Sequence, residues 1–204
     1  MDNSVTVWLL DCAALDEAAL APFEQSLGED ERARLAGFTR PLRRRQFVAG
    51  HALLRQALAP SLGLAPSAIT LTQARGSAPR LATAAGCAPF FSLSHSGRWV
   101  ACAVSAGTPI GLDIECLDGG RDVAALAAQA FGAAEGEALA GLGPLVRSAC
   151  FYRLWCGAEA RFKLGTPAAQ QCSLAHPALA IVLCSGHSLA SAPVLHEVGL
   201  AALS

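Results

Sequence analysis

The 204-residue sequence predicts an α+β protein built as two like halves, residues 1–107 and 108–204, with the candidate site between them. Three observations predict it. Each half runs in the same order: a strand, two short helical stretches, one long helix, then strands. The chain is 53 % hydrophobic and 15 % charged, which supplies apolar mass for a packed core and lies far from a disordered profile. Its length suits one large domain or two small ones.

The apolar run Val5–Leu10 reads as the first strand. Helical stretches follow at Leu15–Ser26 and Glu29–Phe38. A longer helix covers Arg43–Leu58, where Phe47, Leu54 and Leu58 fall on one face. Pro60, Gly63 and Pro66 break that pattern, and a strand at Ile69–Gln73 comes next. The glycine- and alanine-rich stretch Arg75–Pro89 reads as an exposed, flexible loop. Phe90–Ser94 and Trp99–Ser105 are two strands joined by the polar turn His95-Ser96-Gly97-Arg98. In the second half, Ile110–Cys116 is a strand introduced by Pro109. Helices follow at Asp122–Phe131, Ala134–Ala140 and Leu145–Leu164, then strands at Ala178–Cys184 and Pro193–Val198.

Bulk properties exclude several classes. A net charge of −1 offers no general basic field for nucleic acid or an anionic membrane. No apolar run reaches the ~18 residues of a spanning helix. Val5–Leu10 lacks the positive flank of a signal segment, so a cytoplasmic protein is expected. None of the eight cysteines forms a CxxC pair, and several lie in apolar runs. They read as small hydrophobic residues in a reducing compartment. Fourteen arginines accompany a single lysine, Lys163, a skew that fits a GC-rich coding bias and leaves lysine where arginine will not serve.

Four constellations could carry chemistry. In Gly111-Leu112-Asp113-Ile114-Glu115, period-two alternation puts both carboxylates on one strand face, a hard-oxygen pair suited to Mg²⁺. The same pattern fits a half-exposed strand with polar residues outward. Glu159 and Lys163 are four apart, neighbours on one helical face, which also fits a surface ion pair. The stretch Ser92-Leu93-Ser94-His95-Ser96-Gly97-Arg98 offers several donors to a phosphate, or is simply a polar hairpin turn. Arg40, Arg43, Arg44 and Arg45 open a helix, with Arg55 three turns on. They read as a phosphate clamp or as the solvated start of an amphipathic helix.

Taken together and in this order, Ser-His-Ser-Gly, Gly-Leu-Asp-Ile-Glu and Phe-Tyr-Arg-Leu-Trp leading into Glu-Ala-x-x-Lys resemble the 4'-phosphopantetheinyl transferase superfamily. The likeness is to its pseudo-dimeric branch, typified by the surfactin synthetase activator, and runs from about Phe38 to Lys163. It implies the family's fold, two pseudo-symmetric halves each with a small antiparallel sheet packed by a long helix. It implies transfer of 4'-phosphopantetheine from coenzyme A to a serine of an apo acyl or peptidyl carrier protein, with Mg²⁺ and release of 3',5'-adenosine bisphosphate. Asp113, Glu115 and Glu159 match the metal carboxylates. Glu159 also matches the general base, and Lys163 the lysine that contacts the pyrophosphate. Ser94 and His95 match coenzyme A phosphate contacts, and Arg40, Arg44, Arg45 and Arg55 fill the basic role beside them. A pseudo-dimeric chain builds its cleft alone, so a monomer is expected.

Three positions depart from the family pattern. Ala158 replaces a lysine of the W-x-x-K-E-A motif, and Gln46 replaces an arginine, with Arg45 adjacent. The Gly-Lys-Pro loop is Gly76-Ser77-Ala78-Pro79, with only Arg75 or Arg80 near. Two other readings stand beside the transferase: a non-catalytic paralogue that binds coenzyme A or a carrier, and a Mg²⁺-dependent hydrolase of nucleotide pyrophosphates.

Overall fold

Trp99–Ser105 is buried along its whole length, and its alternate residues enter two different cores. That single strand fixes the layer order. The computed structural model describes residues 3–74, 76–82 and 88–203. Strand β1 (Thr6–Asp11) leads through helices α1 (Glu17–Gln25) and α2 (Glu29–Ala36) to the long helix α3 (Pro41–Leu62). The short strands β2 (Leu71–Thr72) and β3 (Arg80–Leu81) pair with each other, and the hairpin β4 (Phe90–Ser96) and β5 (Trp99–Ser105) follows. Strand β6 (Ile110–Cys116), helices α4 (Val123–Ala130), α5 (Ala133–Ala140) and α6 (Pro144–Leu164), and strands β7 (Gln170–Leu174), β8 (Leu179–Ser185) and β9 (Val194–Val198) complete the order.

One sheet runs β4-β5-β1-β9 and the other β6-β8-β7. Val100, Cys102 and Val104 of β5 pack with Val48, Leu53 and Leu58 of α3. Ala101 and Ala103 face the other way, against Ile110, Leu112 and Ile114 of β6 and Ile181 and Leu183 of β8. On the far side of the second sheet, Val182 and Cys184 meet Cys156, Ala160 and Leu164 of α6. The molecule is thus layered helix, sheet, sheet, helix, each strand feeding two layers through its period of two.

Both long helices carry proline at their first position and end on a left-handed glycine, Gly63 (φ +63°) and Gly165 (φ +72°). Pro60 does not stop α3, which runs on to Leu62. In the last turn a proline removes only one backbone bond.

Several expectations need correcting. The first-half sheet is mixed rather than antiparallel, because β9 joins β1 in parallel. The last strand therefore crosses the boundary expected at residue 107, and Val198 and Leu203 pack into the core beneath α3. His95 and Ser96 belong to β4, and the hairpin turns on Gly97-Arg98 alone, with Gly97 at φ +53°. Strand β7 replaces what read as a connection. The loop after residue 74 contains β3, while Arg75 and 83–87 lie outside the described residues. Among the described residues seven cysteines are free thiols, four of them buried, and no helix is long and apolar enough to cross a membrane.

Candidate active site

The site begins at a glycine. A Cβ on Gly111 would collide with the Ala160 carbonyl oxygen and stand 2.6 Å from the Leu164 amide nitrogen, so only glycine lets β6 lie against the α6 backbone. Asp113 and Glu115 project from the same strand face farther along, and the last turns of α6 close over the first of them.

Lys163 Nζ donates to Asp113 Oδ1 at 2.7 Å, to Ser94 Oγ at 3.0 Å and to the Leu112 carbonyl at 3.0 Å. All three ammonium protons are used in a tetrahedral grip that arginine's planar fork does not match. Ser94 Oγ donates to Asp113 Oδ1 at 2.8 Å and accepts from the Ile114 amide at 3.3 Å. Asp113 Oδ2 is buried without a hydrogen-bond partner. Two residues on, Glu115 Oε2 accepts from Ser96 Oγ at 2.6 Å. Burial raises the Glu115 carboxyl above its ordinary value, Ser96 opposes the rise, and the nearby Asp113 adds to it.

A buried carboxylate oxygen, unpartnered among the described residues, beside a second acid on the same strand face is an arrangement a divalent cation completes. Hard oxygens, one or two of them carboxylate, suit Mg²⁺, so the residues fit that ion. The fit rests on two acids. Among the described residues no three His, Cys, Asp or Glu side chains gather for a metal, so Glu159 does not complete a three-acid cluster. It stands half-buried one turn before Lys163.

A cationic wall adjoins the acids. Arg43 Nη1 lies 2.6 Å from His95 Nε2 and also donates to Gln46 Oε1. Burial among these groups, then the charges of Arg43 and Lys163, push His95 down to about 4, so at neutral pH the ring is uncharged and accepts from Arg43. Arg34 and Arg43 both stack on Phe38, at 5.8 and 5.4 Å from the ring centre. Burial first, and then Arg34, lower the Arg43 guanidinium. A cavity of about 1190 Å³ opens there, lined by Arg34, Phe38, Gln73, Ser77 and Arg80.

The arginine cluster does not converge. Successive helix residues lie about 100° apart, so adjacent arginines fan around the axis. Arg40 is the exposed N-cap of α3, and Arg44 is tied to Glu24 and to the Leu35 carbonyl. Arg45 is half-buried and holds none of these bonds, and of the cluster only Arg43 meets His95. Arg55 is a correction. It is 4 % exposed, with Nη2 on Glu31 Oε2 at 2.6 Å and Nε on the Ile69 carbonyl, and serves as a structural cation. Ser94 is another: its one proton and both acceptor sites are spent inside the protein, leaving nothing for a phosphate. Sequence reasoning passed over Arg34 on the cavity wall and noted Arg80 only as a neighbour of the missing lysine. The signal for Arg34 was its placement four residues before Phe38, one helical turn.

Fold and site together place paired acids at the junction of two sheets, beside arginines stacked on Phe38. The model of the 4'-phosphopantetheinyl transferase superfamily matches residues 109–187. The 4'-phosphopantetheinyl transferase AcpT of Salmonella typhimurium is 30 % identical over 138 residues, 68 % of this chain and 67 % of that protein. The 4'-phosphopantetheinyl transferase HetI of a Nostoc species is 34 % identical over 148 residues, 72 % of this chain and 62 % of that protein. A 4'-phosphopantetheinyl transferase of Bacillus subtilis is 33 % identical over 114 residues, 56 % of this chain and 49 % of that protein. The chain belongs to the 4'-phosphopantetheinyl transferase superfamily. It spans 62 % and 49 % of the length of the Nostoc and Bacillus relatives.

Proposed function

We propose that this chain transfers 4'-phosphopantetheine from coenzyme A to a serine of an apo acyl or peptidyl carrier protein, with Mg²⁺, releasing 3',5'-adenosine bisphosphate. One observation carries the reading. The acid pair Asp113 and Glu115 has one carboxylate oxygen buried and unpartnered among the described residues and is held by Lys163, while Arg43 on His95 and Arg34 beside it on Phe38 lead to a large cavity. Coenzyme A is a long polyanion with phosphates at two places, and the cations Lys163, Arg43 and Arg34 beside an acid pair suit such a ligand.

In this reading the carrier serine oxygen forms a bond to the β-phosphorus and the bridging P–O bond to adenosine bisphosphate breaks. Phosphoryl transfer needs positioning and charge neutralisation more than covalent help. Asp113 and Glu115 would hold Mg²⁺, which when bound offsets charge on the pyrophosphate. Glu159, without a hydrogen-bond or ion-pair partner among the described residues, accepts the serine proton. Lys163, held on Asp113, stabilises the leaving phosphate through its field. Arg43, Arg34 and Arg80 hold the adenosine end, which compensates for Gln46 and for the missing loop lysine.

The test is incubation with coenzyme A, Mg²⁺ and a panel of apo carriers, read by intact mass. A carrier gaining one phosphopantetheine, with adenosine bisphosphate released in equal amount, supports the reading. Coenzyme A binding by calorimetry without mass gain on any carrier makes the chain a binding module. Phosphopantetheine set free without a carrier makes it a hydrolase.

A further inference from the structure

Strands β4 and β6 are outer strands of different sheets, yet they are joined rung by rung through serine side chains. The Leu112 amide donates to Ser92 Oγ at 2.9 Å, the Ile114 amide to Ser94 Oγ at 3.3 Å and the Cys116 amide to Ser96 Oγ at 3.0 Å. Each bond spans the same twenty residues, so β4 and β6 run in parallel and in register along this seam. Both strands repeat every two residues, which keeps three successive hydroxyls level with three successive amides. The hydroxyls stand where the carbonyls of a neighbouring strand would stand, and satisfy amides that β8 does not use.

A hydroxyl that accepts from an amide still has its own proton to place. In Ser94 it goes to Asp113, and in Ser96 to Glu115. Each serine grips the backbone of one residue and the carboxylate of the residue before it. The first rung lacks the second half of the grip, because the residue before Leu112 is Gly111, which has no side chain.

We propose that the β4 serine ladder is the positioning device of the acid pair, and that Ser96 is the residue that aims Glu115 at a divalent cation. The claim rests on the metal reading of Asp113 and Glu115. Ser96 touches no substrate in this account and acts through Glu115 alone. Ser92 makes the same kind of backbone rung without touching an acid, so it separates a general role in holding the sheets from a specific one in aiming the carboxylate.

The test is Mn²⁺ binding to the whole chain without coenzyme A, followed by the electron-spin resonance of free Mn²⁺, beside hydrogen exchange and thermal melts. Replacing a residue that orients a metal ligand costs about 10- to 100-fold in affinity. Ser96→Ala is expected to weaken Mn²⁺ binding about 10-fold or more, and Ser96→Thr, which keeps the hydroxyl, to restore most of it. Ser92→Ala is expected to speed exchange of the Leu112 amide and lower the melting midpoint like Ser96→Ala, yet leave Mn²⁺ affinity within about 2-fold, since it touches no ligand. Wild-type affinity in Ser96→Ala, or an equal loss in Ser92→Ala, overturns the positioning role while leaving the metal reading in place. Absence of Mn²⁺ binding by the unaltered chain overturns the metal reading itself, and the proposal with it.

Discussion

At the scale of single residues, Glu159 and Arg55 show opposite relations between spacing and role. Among the described residues Glu159 has no hydrogen-bond partner, while every proton of Lys163, one turn on, is committed. Glu159→Gln removes the proposed base and disturbs no described contact. It is expected to keep the melting midpoint and lower transfer at least 100-fold, as loss of a general base does, and a carrier mass-shift time course checks it. Arg55 was grouped with the arginines opening α3 because it lies on the same helix. Twelve residues place it about 18 Å farther along the axis and about a third of a turn around from Arg43. Its guanidinium lies on Glu31, which is fully buried and also accepts from the Gly28 amide at 2.7 Å. Breaking one partner of a buried ion pair costs about 3–5 kcal/mol. Glu31→Gln is therefore expected to show that loss in urea unfolding, and an unchanged midpoint would remove the pair from the account of stability.

At the scale of elements, apolar runs bounded by turn residues made β5 and β6 legible, and Ile110–Cys116 and Trp99–Ser105 stand where those runs put them. The long helices were legible too, with ends displaced by at most four residues because Pro41 and Pro144 start them and left-handed glycines stop them. Strand β7, Gln-Gln-Cys-Ser-Leu, was not legible. An outer strand with half-buried and exposed residues has no apolar alternation to read. The serine ladder was visible as Ser92, Ser94 and Ser96, but its partner strand was not, since a side-chain rung leaves no mark on the sequence of the strand it joins. Gly111 belongs to this scale. Gly111→Ala forces a methyl into the α6 backbone, and overpacking of a tight contact costs about 1–3 kcal/mol. The shift of α6 would carry Lys163 away from Asp113. The variant is expected to melt lower and to lose transfer activity beyond what its folded fraction explains, measured by circular dichroism beside the carrier assay.

At the scale of the whole molecule, the order of elements along the chain was readable, while the return of β9 to β1 was not. That pairing joins residues nearly the full chain apart, and nothing local encodes which sheet a final strand will enter. Its consequence is mechanical: β9 and the core under α3 bind the two sequence halves together, and the seam between β4 and β6 lies inside one continuous body. The acids come from the second half, and the serines and cations that surround them come mainly from the first. The site exists only in the assembled fold. The most direct test of that claim is the rate of carrier modification by Asp113→Ala, measured while Mg²⁺ is raised to saturation. No recovery is expected at any Mg²⁺ concentration, because the buried carboxylate that anchors Lys163 and is proposed to hold the ion is gone. Turnover at the wild-type rate in that variant would contradict it.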